Sequence, residues 1–307
     1  MDIVAHRKIF YTISGTLAVM SLAALSIFGL RLGIDFTGGS ILEIEFQDTR
    51  PEVEELAKTF ETFNLGEVRL QPTGERGILV RIRHIDEPTH QAILSALGGG
   101  VAEKRFDTIG PSISLELRRK SLMAIVLVIF LIVSYIALAF RKVSESIPSW
   151  KYGVTTVVAL VHDVIIPAGF FAVAGRFFGF EVDTVFVTAI LTILGFSVHD
   201  TIVVFDRIRE NLKTAAGRSD FAVLVNQSVN ATFTRSINTS LTVVLAIGAV
   251  LAFGGASTAI FALTLIIGII FGTYSSIFIA SPLLVTWNLW STERKAPPAG
   301  RAGQNSK

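Results

Sequence analysis

One aspartate interrupts an otherwise apolar stretch. The segment LTILGFSVHDTIVVFDRIREN (191–211) carries Asp200 five residues before the expected helix end at Phe205, which is about 7–8 Å inside the span. A charged Asp at a bilayer centre costs roughly 2.5–3.5 kcal/mol, and less at this depth. Burial favours the neutral form of a carboxyl group, which suits a group that binds and releases a proton. Two interpretations stay open: a structural hydrogen-bonding residue, or a proton carrier in a transport cycle.

A polar stripe begins the next apolar segment, TRSINTSLTVV. Its members are spaced i, i+3, i+4 and i+7 and therefore share one helix face: Arg235, Asn238, Thr239 and Thr242. Because polar groups facing lipid are costly, the stripe is expected to face another helix or a water-filled gap. The two spans run in opposite directions, so Thr239 is expected at the depth of Asp200, with Arg235 reaching toward the carboxylate. The alternative for Arg235 is an ordinary basic residue at the end of a span.

A second buried carboxylate is expected in LVHDVIIPAG, where Asp163 lies near mid-membrane. Proline four residues later, at Pro167, cannot donate the helical hydrogen bond to the carbonyl of Asp163 and favours a kink. A structural kink with a neutral Asp and a role in proton handling remain equal alternatives. The DRIREN run (206–211) favours a structural role at the end of the helix over direct proton handling.

The composition indicates a membrane protein that spans the bilayer several times. The 307 residues have a mean hydropathy of +0.59 and are 17% charged, with the charges crowded into a few segments. Cysteine is absent, which excludes disulfides and thiol catalysis, and the five histidines show no metal-ligand spacing. Apolar runs of about 20 residues or more predict six transmembrane helices. They lie near 9–31, 120–140, 152–175, 184–205, 236–256 and 259–290.

The loop charges predict the orientation. Lys and Arg cluster before the first span, in loops 141–151 and 206–235, and in the tail. Loop 176–183 has only Arg176, and loop 257–258 has neither. The positive-inside rule then places both termini in the cytoplasm and residues 32–119 on the opposite side.

Residues 32–119 predict a small α+β domain. Strand signals at 40–46, 66–72, 77–83 and 101–109 alternate with helix signals at 50–63 and 87–97. The order β-α-β-β-α-β is that of a ferredoxin-like fold. The expected fold class is therefore an α-helical polytopic membrane protein, with six transmembrane helices and one ferredoxin-like extracytoplasmic domain.

The predicted organisation has four parts. They are a cytoplasmic N-terminus with the first span (1–31), the external domain (32–119), a five-helix membrane domain (120–290) with an amphipathic cytoplasmic connector (206–235), and a disordered tail (291–307). The stretch GIDFTGGS (33–40) joins the first span to the first strand, and its glycines suit a tight turn.

Taken in order, GIDFTGG, a small external domain, GFSVHDTIVVFDRIREN and TRSINTS resemble the SecF subunit family of the bacterial Sec protein-export machinery. The family is similar in architecture to half of a resistance-nodulation-division transporter. The resemblance implies a bacterial cytoplasmic membrane protein that works with SecD, uses the proton gradient to promote protein translocation and release, and is not an enzyme. It implies no cofactor and no nucleic-acid partner.

The resemblance also implies partners and residues. The expected partners are SecD, the SecYEG translocon and unfolded preproteins, with YajC and YidC as further candidates. Asp200 and Arg235 match the family's proton pathway, to which Asp163 is added here as a candidate. The supporting polar face would comprise Ser197, His199, Asn238, Thr239 and Thr242, and the family's glycine-rich motif would correspond to Gly33, Asp35, Gly38 and Gly39. His199 replaces the family's usual Asn. It could tune Asp200, but one helical step turns it about 100° away, which favours no role.

Three alternatives remain at this stage. A small-molecule efflux half-transporter would need larger external domains. A scaffold or assembly subunit of a translocon or insertase would conduct no protons. An intramembrane aspartyl protease would need Asp163 and Asp200 to meet across two helices.

Overall fold

In the computed structural model the chain is described at residues 1–140, 148–215 and 220–293. These residues form two compact units. We call them the membrane unit (residues 1–30, 125–180 and 185 onward) and the sheet unit (31–124 with 181–184). The predicted loop 141–151 and the predicted tail lie mostly outside the described residues.

Ten α-helices occur within the described residues. In chain order they are α1 (Arg7–Phe28), α2 (Ile34–Thr37), α3 (Val53–Glu61), α4 (Glu87–Leu97), α5 (Pro111–Ala139), α6 (Ser149–Phe178), α7 (Thr184–Ala215), α8 (Phe221–Phe253), α9 (Ala256–Ser275) and α10 (Ser281–Glu293). A π-helical turn, Ser276–Ala280, joins α9 to α10. By length and composition, six helical stretches in the described chain could cross a membrane: α1, α5, α6, α7, α8, and α9 continued through α10.

Three of the spans reach well past the apolar sequence that predicted them. The span expected at 120–140 belongs to α5, which begins at Pro111. The span expected at 184–205 belongs to α7, which continues to Ala215, and α8 begins at Phe221 rather than near residue 236. Much of the predicted connector 206–235 therefore consists of the ends of two long helices. The physical reason is that a bilayer limits the apolar run, whereas the helix itself requires only its own backbone hydrogen bonds.

The sheet unit confirms the ferredoxin-like order. Its strands are β1 (Gly39–Phe46), β2 (Arg69–Thr73), β3 (Gly77–Ile82) and β4 (Val101–Ile109). They form one antiparallel sheet in the order β2-β3-β1-β4. Helix α3 is shorter than the helix predicted at 50–63, and β2 starts three residues after the strand predicted at 66–72. Helix α4 and strand β4 have the predicted bounds.

Alternation along the strands builds the domain core. Successive side chains of a strand point to opposite faces, and the inward residues of β1 and β3 pack against α3 and α4. Leu42, Ile44, Phe60, Ile78 and Ile93 are fully buried there. The predicted tight turn at 33–39 contains one short helical turn, α2, bounded by Gly33 and Gly38.

Asp86 caps the N-terminus of α4, and the stability of this helix end therefore depends on pH. Its side chain accepts a hydrogen bond from the Thr89 amide at 3.2 Å, and hydrogen bonding from Thr89 holds the pKa of Asp86 below its ordinary value. A lowered pKa in the folded state means the cap is complete above the ordinary carboxyl pKa. Its contribution is lost as pH falls through the lowered value.

We therefore expect Asp86→Ala to speed hydrogen exchange in the first turn of α4 at neutral pH in the full chain. The difference from wild type should disappear in acid, where the wild-type cap is also protonated. Asp48→Ala, an exposed acid before α3, is the matched control. Equal exchange at neutral pH would contradict the capping role.

Candidate functional site

A group of buried polar residues of the membrane unit lies where α6, α7, α8 and α9 meet. Two carboxylates anchor this polar cluster: Asp163 on α6 is fully buried, and Asp200 on α7 is 4% exposed. Hydroxyl side chains link them to the neighbouring helices: Ser197, Thr201, Ser236, Ser240, Thr273, Ser275 and Ser276. We call these nine residues the polar cluster.

Asp200 has one oxygen bound and one free. Oδ1 accepts a hydrogen bond from Ser236 Oγ on α8 at 2.9 Å. Within the described part of the chain nothing donates to Oδ2, although that oxygen is buried. An ionised carboxylate with an unsatisfied buried oxygen is costly, and a proton on that oxygen removes the charge. The geometry therefore suits a group that takes up a proton.

Asp163 has both oxygens engaged. Oδ1 lies 2.9 Å from Nδ1 of His162. Oδ2 accepts from Ser197 Oγ on α7 and from Ser275 Oγ on α9, the latter at 2.8 Å. One side chain thus ties three helices together, which supports a structural role for Asp163. Pro167 lies inside α6 four residues later, and the helix continues through it.

The hydrogen bonds by which Asp163 joins three helices, which we call its hub role, can be tested by substitution. Asp163→Ala leaves the two serine hydroxyls and His162 without their partner, and one buried unsatisfied group costs about 1–3 kcal/mol. We expect Asp163→Ala to lower the thermal stability of the detergent-solubilised protein by several degrees, whereas Asp163→Asn, which can still accept and donate, loses less. Ser26→Ala, at an exposed serine on α1, is the control. Equal stability of Asp163→Ala and wild type would contradict the hub.

Close helix contact makes this cluster possible. A Cβ at Gly272 of α9 would lie 3.1 Å from Cβ of Ser197, and one at Gly268 would overlap the side chain of Ile193. The two glycines are four residues apart, a spacing that lets helices in membranes approach closely. Just beyond them, Ser276 donates to the Ser197 carbonyl at 3.3 Å and pairs with Thr201 at 2.8 Å. The π-helical turn begins at that residue, and such turns are frequent at functional sites.

The predicted polar stripe on α8 does not face this cluster. Its four residues, Arg235, Asn238, Thr239 and Thr242, are exposed in this chain. The face that contacts Asp200 instead carries Ser236 and Ser240, the latter bonded to Thr273 of α9. A step of 100° per residue separates the two faces.

Arg235 lies outside the polar cluster, and no ion pair joins it to Asp200 in the described chain. It borders an open groove of about 420 Å³ between α7 and α8. The lining residues are Ile202, Val203, Asp206, Arg207, Glu210, Ala231, Thr232 and Arg235. In that groove Arg207 pairs with Glu210 at 2.6 Å, so the DRIREN run makes local ion pairs.

Of the two other candidates on α7, one lies in the polar cluster and one does not. Ser197 is buried and binds Asp163, whereas His199 is exposed on another face of α7. His162, Ser275 and Ser276 were missed by the sequence reasoning. The signal for the two serines was a run of hydroxyls, TYSS (273–276), placed after two glycines within an apolar span.

Asp163 and Asp200 bind different partners and make no hydrogen bond to each other in the described chain. That arrangement gives no support to a two-aspartate protease site. No group of three or more His, Cys, Asp or Glu residues suited to a metal ion occurs among the described residues.

In the sheet unit, the glycine-rich motif contacts the connection between α6 and α7. Asp35 accepts hydrogen bonds from the amide of Thr184 at 2.9 Å and from its hydroxyl. Gly38 and Gly39 have positive φ angles, +73° and +125°. A Cβ at Gly39 would lie 2.8 Å from the carbonyl oxygen of Ile82 on β3, so a residue without a side chain is required there.

Known protein families and individual proteins match nearly the whole chain. A family described as "Protein export membrane protein SecD/SecF, C-terminal" matches residues 89–290, and the "SecD/SecF GG Motif" matches residues 23–49. The chain is 42% identical over 303 residues to the protein translocase subunit SecF of Thermobaculum terrenum, with 94% of each covered. It is 32% identical to protein translocase subunit SecDF of Bacillus subtilis, over 93% of this chain and 38% of that protein.

Solved structures give the same result. The crystal structure of SecDF from Thermus thermophilus, described as a translocon-associated membrane protein, matches with a TM-score of 0.80 and 33% identity. The match includes 94% of this chain and 39% of the SecDF chain. The chain therefore spans about two fifths of the SecDF proteins that it resembles.

Proposed function

The chain belongs to the SecD/SecF family of protein-export membrane proteins, and from that premise we propose that it uses the proton gradient, together with SecD, to promote protein translocation and release. The observation that carries the proposal is Asp200, a buried carboxylate with one oxygen bonded to Ser236 and one without a partner in the described chain. Each proton that crosses 100 mV releases about 2.3 kcal/mol. Several protons are enough for a rigid-body movement.

In this mechanism Asp200 changes protonation state and Asp163 holds the helices. Protonation neutralises Asp200 and allows its carboxyl group to donate as well as accept, so its contact with Ser236 on α8 can change. Because Thr201, Ser276 and Ser197 join the same cluster, the packing of α7 on α9 responds. Arg235, one residue before Ser236 and at the rim of the groove, is proposed to attract the carboxylate when it is charged. Movement of residues 32–119 follows.

We further propose a membrane location, an orientation and partners for the protein. The protein lies in the bacterial cytoplasmic membrane with both termini in the cytoplasm, because the loop charges agree on that orientation. Its other proposed partners are the SecYEG translocon, unfolded preproteins and, as candidates, YajC and YidC. It performs no enzymatic reaction in this proposal.

SecD is proposed to cover the exposed polar stripe on α8. A polar face toward lipid is unfavourable, whereas small and polar side chains suit contacts between membrane helices. SecDF relatives that join both parts in one chain support SecD as the occupant. Because the stripe would be uncovered without SecD, we propose that the protein is inactive alone.

We expect the double variant Asn238→Leu/Thr242→Leu to weaken co-purification with SecD about fivefold to tenfold, taking about 0.6 kcal/mol for each interhelical hydrogen bond. Ile237→Ala, at an exposed apolar position on another face of α8, is the control. Undiminished recovery of SecD would contradict the proposed interface.

The function itself is tested in cells that are depleted of their own copy and supplied with this chain and SecD. Release of an exported protein is followed with the proton gradient intact and then collapsed. The proposal predicts that this chain adds a component of release that is lost on collapse. A second candidate, a scaffold subunit without proton coupling, predicts equal support in both conditions, and that result would overturn the proposal.

A further inference from the structure

The residues of the glycine-rich motif and of the α6–α7 connection form one hydrogen-bonded unit. Leu32 and Val182 form a parallel β-bridge. The amide of Gly33 donates to the Val182 carbonyl at 2.9 Å, and the amide of Val182 donates to the carbonyl of Arg31 at 2.8 Å. We call residues 31–39 with 181–184 the clasp. The clasp belongs entirely to the sheet unit.

Ion pairs attach the clasp to the sheet. Glu181 lies 3.3 Å from Nε of Arg31 and also pairs with Arg81 of β3. Both Glu181 and Arg81 are mostly buried, which strengthens the pair relative to one on the surface. A Cβ at Gly33 would lie 3.4 Å from the Val182 carbonyl, so the two segments approach closely at that glycine.

Asp35 binds the first residue of α7. The first amides of a helix have no partners within the helix, and a carboxylate there is favoured by the helix dipole. Asp35 meets both needs at Thr184, through its amide at 2.9 Å and its hydroxyl. A carboxylate at this helix end thus comes from a segment about 150 residues earlier in the chain.

We propose that Asp35 is a positioning residue that couples α7 to the sheet unit. Asp200 lies on the same continuous helix, 16 residues after Thr184 and about 24 Å along its axis. With its first residue, Thr184, held by the clasp, α7 transmits a change at Asp200 to the sheet. The clasp stays closed through the cycle. This inference rests on the proposed proton-driven function and assigns a role to the glycine-rich motif.

Substitutions at Asp35 test the capping contact. Asn has the length of Asp and a carbonyl oxygen that can accept from the Thr184 amide, whereas Ala has no acceptor. We expect Asp35→Ala to lose most of the gradient-dependent release while release without the gradient is unchanged, since loss of a cap shifts a local equilibrium about fivefold. Asp35→Asn should keep most of it. Asp48→Ala is the control. A full gradient-dependent component in Asp35→Ala overturns the inference.

A reversible disulfide tests whether the clasp stays closed. The chain has no cysteine, so Leu32→Cys/Val182→Cys introduces the two thiols that can pair at the β-bridge. When oxidised, this pair should keep the gradient-dependent release, and it should restore that release to Asp35→Ala until reductant is added. Loss of release on oxidation in the otherwise wild-type chain, reversed by reductant, overturns the inference. The measurement on the otherwise wild-type chain does not depend on whether Asp35→Ala folds.

The two proposals fail in different ways. If the wild-type chain adds no gradient-dependent release, the proposed function is wrong. If it does add this release and Asp200→Asn removes it, but Asp35→Ala retains it, the function stands and the clasp alone is overturned.

Discussion

Replacing Asp200 by Asn removes the gradient-dependent part of protein release and leaves the part that needs no gradient. Asn occupies nearly the same volume and can accept the hydrogen bond from Ser236, but it cannot gain or lose a proton at neutral pH. The variant therefore keeps the helix contacts and lacks only the titrating group. We expect the gradient-dependent component to fall to background.

The controls separate this effect from damage to the fold. His199→Asn changes the neighbouring residue, whose side chain is exposed on another face of α7, and should retain full gradient dependence. Ser236→Ala removes the partner of Asp200 and should weaken, without abolishing, the dependence. Membrane level and recovery of SecD are measured for each variant. A normal gradient-dependent component in Asp200→Asn would make the carboxylate structural and favour the scaffold function.

Replacing Gly169 by Ala is expected to have the largest effect on stability. A Cβ at Gly169 of α6 would overlap Cβ of Ser21 on α1 and would lie only 2.5 Å from the Cα atom of that serine. Because one of these atoms is backbone, a rotamer change cannot relieve the overlap, and α1 must move away from α6. Overpacking of this kind costs about 1–3 kcal/mol, or more where a helix must shift.

Gly153→Ala is the matched control, because Gly153 lies on the same helix and a Cβ there would meet nothing within 4 Å. Thermal unfolding of the detergent-solubilised protein should occur several degrees lower for Gly169→Ala. For Gly153→Ala it should be unchanged or slightly higher, since Ala is the better helix former by about 1 kcal/mol. Equal unfolding temperatures for the two variants would show that the α1–α6 contact is not close.

Much of the fold follows from hydropathy and strand alternation. The six spans need only apolar runs of sufficient length, and the β-α-β-β-α-β order needs only short alternating segments between turn residues. The apolar spacing in the connector 206–235 predicted an amphipathic segment there, but it did not predict that this segment and the fifth span form one continuous helix, α8. The extension of α7 to Ala215 was not predicted either. The pairing of Leu32 with Val182 joins residues that are distant in the chain, and no local pattern predicts it.

The site could be predicted in part. Asp200 and Asp163 stand out because a carboxylate in an apolar run has few explanations. Their partners do not stand out. The sequence indicates that α8 has polar residues on more than one face, and it favoured Arg235 over Ser236 because charge attracts charge. The structure places Ser236 against Asp200 and leaves Arg235 exposed at the groove. Which face turns inward depends on packing against α9, which sequence periodicity alone does not determine.

The most direct test of the central claim is proton flux. The chain and SecD are reconstituted in liposomes, a proton gradient is imposed, and the internal pH is followed by a trapped dye with the translocon and preprotein present. The account predicts flux through the wild-type complex and none above empty liposomes for Asp200→Asn, with His199→Asn like wild type. Wild-type flux in Asp200→Asn would contradict the account, because protons would then cross without the carboxyl group that is proposed to carry them.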